Sequence, residues 1–171
     1  MTTTTNLAIT LVDQSQSQKE VTINQAITTL DAFAPLGKSG TATATSNATL
    51  TDIAGMSVNL AAGGVYAVRI CGIGTANVAS GFKLGSAGTA TFTAFRAFGH
   101  IDNSGSYVGN AEVSASGSLL SLTATTAFRF AIEGVVTVNA AGTFKLQFAQ
   151  NVSNAAASAL TACWLVVTRI A

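Results

Sequence analysis

Apolar and polar positions alternate most regularly between Glu133 and Ile170. Over 143–150, Phe144, Leu146 and Phe148 fall on every second position, and Lys145, Gln147 and Gln150 are assigned to the opposite face. This period of two marks a strand with one buried side. The preceding run, Val135-Val136-Thr137-Val138, is β-branched, and Ala140-Ala141-Gly142 between the two has the length of a hairpin turn. A last strand covers 161–170. Upstream, the same pattern predicts strands near 40–50, 57–60, 64–73, 81–84, 90–98, 106–115, 118–123 and 127–138. Turn signals separate them at 61–64, 85–88 and 102–105. Eight to ten strands in about 130 residues is the size of a jelly roll, so the expected class is all-β.

The first segment follows a different period. Ser17 and Glu20 are spaced as a capping box. Ile23, Ile27, Leu30 and Ala34 then recur at intervals of four, three and four, along one narrow helical face. Pro35 and Gly37 end the pattern, which predicts a helix over 18–34. The stripe is narrow enough for a docking ridge or coiled-coil seam. Ahead of it, 6–13 reads as a strand or an extended arm. The composition turns to Thr, Ala, Ser and Gly from Ser39 onward, which divides the chain into an N-terminal segment, 1–38, and a β domain, 39–171.

Charge changes the picture. Only 9% of the 171 residues are Asp, Glu, Lys or Arg, with a net charge of +1 and a mean hydropathy of +0.47. An ordinary soluble domain carries roughly 25%. A surface with so little charge is expected to be covered largely by other subunits. The four Lys and four Arg are scattered and form no basic patch, which speaks against nucleic acid. No run is long and apolar enough for a membrane helix. Met1-Thr2-Thr3-Thr4-Thr5 has no basic start or apolar stretch of a secretory signal, so synthesis in a cytoplasm is expected. The sequons at Asn47 and Asn151 then carry no meaning.

Candidate chemistry is sparse. His100 is the single histidine, with no nucleophile motif beside it, and reads as a surface histidine at a strand end. Gly72-Ile73-Gly74 is a fragment of a dinucleotide fingerprint that opens no helix. The seven carboxylates lie no closer than seven residues apart, so no local acid pair or calcium loop is encoded. Cys71 and Cys163 read as buried thiols, with a disulfide open if their strands are neighbours, and too few ligands for zinc. No enzyme, metal site or cofactor is expected. Arg69, Arg96, Arg129 and Arg169 lie within predicted strands and read as subunit contacts, with Glu133 and Glu112 as partners. In the turn around 104–109, Tyr107 with Asp102 and Asn103 is the candidate ligand loop.

Two stretches carry a family resemblance. Residues 49–66, TLTDIAGMSVNLAAGGVY, and 132–150 closing on 164–170 resemble the first and last strands of jelly-roll domains in tailed-bacteriophage structural proteins, themselves similar to tumour-necrosis-factor and C1q heads. Residues 14–24, QSQSQKEVTIN, and 30–32, LDA, resemble an N-terminal attachment segment of phage tail-fibre and head-fibre proteins. The resemblance implies a homotrimeric virion protein made in the bacterial host cytoplasm. Gln18, Lys19, Glu20, Ile23, Ile27 and Leu30 would dock it on the major capsid protein or another virion protein. Typical fibres carry a long shaft between the two parts, which is missing here, so a capsid decoration protein or short head fibre is favoured. A tail-associated tip recognising host surface glycan is the alternative.

Overall fold

The structure is a computed structural model that describes residues 18–32, 35–103, 106–113, 117–122 and 126–171; the side chains of 18–23, 32 and 106–113 are outside that description. One helix, α1 (Gln18–Ala32), precedes ten strands: β1 (Leu36–Ala44), β2 (Thr51–Leu60), β3 (Val65–Thr75), β4 (Phe82–Ala87), β5 (Thr91–Asn103), β6 (Ser106–Val113), β7 (Ser118–Leu122), β8 (Ala127–Ala140), β9 (Gly142–Ala149) and β10 (Ser158–Arg169). The capping residue Ser17 and the proposed strand at 6–13 lie outside the described residues.

The strands pair from the outside of the sequence inward: β1 with β10, β2 with β9, β3 with β8, β4 with β7 and β5 with β6, all antiparallel. The chain is therefore one long hairpin whose tip is β5–β6. Rolled up, it gives a six-stranded sheet, β1-β10-β3-β8-β5-β6, packed on a four-stranded sheet, β2-β9-β4-β7. This nesting is the jelly-roll arrangement.

Each sheet turns one side to a shared core. From the four-stranded sheet come Met56, Leu84, Phe144, Leu146 and Phe148, and from the six-stranded sheet Ile70, Phe128, Ile132, Leu160 and Leu165, all buried. Phe82 stacks on Phe128 with ring centroids 3.8 Å apart and 16° between planes. Gly72 and Gly74 make room for this stack, because they face Phe130 and Phe128 across the β3–β8 ladder. A Cβ on Gly72 would strike the Phe130 ring, and one on Gly74 the Phe128 ring and Ala159 O. The fingerprint fragment is thus an aromatic–glycine packing device between neighbouring strands.

Four sequence expectations need correction. β8 and β9 do not form a hairpin. Only Ala141 separates them, but β9 pairs with β2 and β4 while β8 pairs with β3 and β5, so the chain turns a corner between sheets there. Gly142 is needed at that corner, since a Cβ would collide with Thr89 and Ala90. β2 is longer than 57–60: its alternation breaks at Gly55, which sits at φ 76° where the ladder with β9 shifts register. Gln150 is buried rather than solvent-facing, because it shares the phase of Phe144, Leu146 and Phe148. Its Oε1 accepts from Asn47 N (3.1 Å) and Asn154 N (3.0 Å), and its Nε2 donates to Ala156 O (2.7 Å). β1, finally, begins at Leu36, paired with Val167, ahead of the compositional change at Ser39.

Candidate interaction face

The outer sides of the two sheets differ in kind. On the four-stranded sheet the outward positions are Ser57 and Asn59 of β2, Lys145 and Gln147 of β9, and Lys83 and Ser121 of the β4–β7 pair. Asp52 accepts from Lys145 Nζ and Gln147 Nε2, each at 2.8 Å. The Lys145 hydrogen bond first, then that of Gln147, holds the Asp52 carboxyl below its ordinary value of 3.8. That side is built for water.

The six-stranded sheet is built otherwise. Ile73 on β3, Phe98 on β5, Val135 on β8, Trp164 on β10 and Ile170 just beyond it are exposed by 40% to 52%. All five occupy the outward phase of their strands, and the ladders bring them onto one face. Ala67, Cys71 and Ala131 fill outward positions between them. Exposed apolar residues scattered singly mean little, whereas several gathered on one sheet face mark an interaction surface.

Most of the sequence-selected charges fall on this same face. Arg69 and Glu133 stand directly opposite each other on β3 and β8. Arg69 Nε donates to Glu133 Oε1 at 2.7 Å and Nη2 reaches the same oxygen at 2.6 Å. Arg129 lies opposite Asp102, Nη2 to Oδ2 at 3.4 Å. Arg96 is on the outward phase of β5 and is likewise partnered. Arg169 is the exception: it continues the core-facing phase of Leu165 and Val167, and its Nε donates to Ala171 O at 3.0 Å. The side chain of Glu112 is not among those described.

His100 lies inside β5, paired on both sides, and is exposed on this face opposite Ala131. Asp102 and Asn103 close β5, and Tyr107 belongs to β6 opposite Asp102, so these three flank the hairpin turn instead of lying within a loop. Asp102 Oδ1 is buried with no hydrogen-bond partner among the described residues. Cys71 and Cys163 are free thiols. Cys71 pairs with Trp164, and Cys163 with Gly72. They occupy successive ladder positions, so one thiol points outward and the other into the core, and the geometry forbids a disulfide. Burial raises the Cys71 thiol and pushes Cys163 up to about 12, with Cys71 adding to the latter.

In α1, Ile27 is half-buried and Leu30 is 68% exposed; the side chains of Gln18, Lys19, Glu20 and Ile23 are outside the description. β1 begins at the end of the sandwich that also holds Val167, since Leu36 pairs with it. The β5–β6 turn is at the other end, since Asn103 pairs with Phe128 near the start of β8. The start of β1 and the ligand-loop candidates Asp102 and Asn103 therefore lie toward opposite ends of the six-stranded sheet. Among the described residues no three His, Cys, Asp or Glu side chains gather as a metal set. Sequence reasoning did not single out the apolar residues of the face, because each belongs to an ordinary alternating strand; only the ladder register shows that they coincide.

No family model matches the chain, and no curated protein does. Among solved structures, a chain from infectious bursal disease virus strain Gx is similar over 80% of this chain and 42% of its own, with 10% identity and a TM-score of 0.20. A chain from the VP2 subviral particle of the same virus is similar over 80% and 40%, with 9% identity and a TM-score of 0.18. This chain spans about two fifths of the length of each. Likeness at that level assigns neither a family nor a role.

Proposed function

We propose that the protein is a structural component of a tailed-phage virion, a homotrimeric capsid decoration or short head-fibre protein that docks through its N-terminal segment. The observation that carries the assembly half of this reading is the set of large apolar side chains exposed on the outer face of the six-stranded sheet, in a chain with 9% charged residues. Sealing Phe98, Trp164 and their neighbours against other subunits removes apolar area from water, while the polar face of the four-stranded sheet stays outside. The virion half rests on the resemblance of 14–24 and 30–32 to phage attachment segments. It is supported by the start of β1, which follows the helix in the chain, and the end of β5 lying toward opposite ends of the six-stranded sheet. Three docking segments on one trimer would add avidity for the particle.

A tail-associated tip that reads host glycan through Asp102, Asn103 and Tyr107 is the second reading, favoured by the placement of Asp102 and Asn103 away from the start of β1. Immunogold labelling of virions with antibody against 39–171 separates the two. Gold over the heads is expected; gold confined to the tail end would promote the tip, and unlabelled particles would end the phage assignment.

A further inference from the structure

The Arg69–Glu133 pair stands in the middle of this face: Phe98 is opposite Glu133 and Val166 opposite Arg69, with Trp164 and Val135 one outward position further along their strands. Each partner keeps 59% of its side chain exposed. An ion pair that open to water contributes little to the fold that carries it, so the stability of the single subunit does not explain it. The pair forms one wall of a shallow depression, with Ala67, Val135, Val166 and Thr168 around it.

We infer that this pair is a specificity inlay, a charge pair neutralised within one subunit and then buried whole when a second copy of the chain covers the face. The inference rests on the self-association reading above. Charge balance favours a second copy as occupant. Arg69 is matched by Glu133 and Arg129 by Asp102, so the face presents no uncompensated block of one sign that would call for an oppositely charged partner. Size agrees. Six strands at ~4.8 Å spacing and about ten residues at ~3.3 Å rise make a face of roughly 950 Å², enough for the ~800 Å² each partner gives to a stable interface.

The chemistry separates this role from a purely structural one. Removing one member leaves the other charge without its counterion under the second subunit, a heavy penalty; removing both leaves apolar side chains among Val135, Val166 and Phe98. Arg69→Leu and Glu133→Leu should each weaken association at least about a hundredfold, with the thermal midpoint of the dissociated subunit nearly unchanged. The double variant should recover to within about tenfold of wild type. Glu133→Gln, which keeps the shape, provides a second single variant should a leucine variant fold poorly.

Sedimentation velocity and native mass spectrometry of the full chain, with Trp164→Glu as a control for the face, test this. Single variants weakened and the double variant restored is the expected result. Single variants that assemble like wild type, while Trp164→Glu is monomeric, would overturn the inlay and leave the face intact. A wild-type chain monomeric at micromolar concentration, or a Trp164→Glu variant that still assembles, would overturn the inlay by removing the face on which it rests.

Discussion

Glycine, glutamine and aspartate each show how a single side chain, or its absence, is tied to the fold. Gly74→Ala should cost at least about 2 kcal/mol, because the new methyl meets backbone as well as the Phe128 ring; urea denaturation measures it. Gln150→Leu should cost about 3 kcal/mol, since it strands two backbone donors and one acceptor in the loops at 47, 154 and 156. Asp52→Asn should cost only roughly 0.5 kcal/mol, as the Lys145 pair is exposed. Its effect has a pH signature. The folded pKa is depressed, so the contribution is present above 3.8 and lost as pH falls through the lower folded value. Denaturation of wild type and variant should therefore differ at neutral pH and converge in strong acid. Alternation made Lys145 and Gln147 legible as surface residues, but Gln150 was misread because its polarity outweighed its phase.

At the scale of elements, β3, β8 and β9 were readable because their alternation is unbroken. β2 was half-missed because Gly55 interrupts its period, and a window that demands strict alternation sees only the second half. The partnership of β8 with β9 was misread for another reason: a short glycine-bearing connection signals a change of direction, and nothing local distinguishes a hairpin from a corner between sheets. The helix was readable from spacing, and its role can be tested at Leu30, which is exposed and touches no core. Ile27→Asp and Leu30→Asp should abolish attachment to particles in a co-sedimentation assay while the β domain keeps its thermal midpoint. Loss of folding together with attachment would sink the docking ridge.

The whole molecule sets a sheet face that carries large exposed apolar side chains among its charged pairs against a face that carries none. Low charge in the sequence pointed to covered surface, but which surface became visible only once the ladders placed Ile73, Phe98, Val135 and Trp164 on the outer side of one sheet. Cys71 provides a reporter, since it lies on that face next to Trp164 in the ladder. Alkylation of Cys71 should be slower in wild type than in Trp164→Glu, followed by intact mass, with Cys163 unmodified in both.

The nesting of β1 with β10 also governs when this fold can exist during synthesis. β10 lies between β1 and β3, so the first strand has no neighbour in its sheet until the tenth has emerged from the ribosome. A nascent chain ending before Ser158 holds β1 unpaired and the core open, and contacts between such distant segments form slowly. Release of 158–169 from the exit tunnel is the step that closes the sandwich, and a chain stalled at residue 157 should remain protease-sensitive along its whole length.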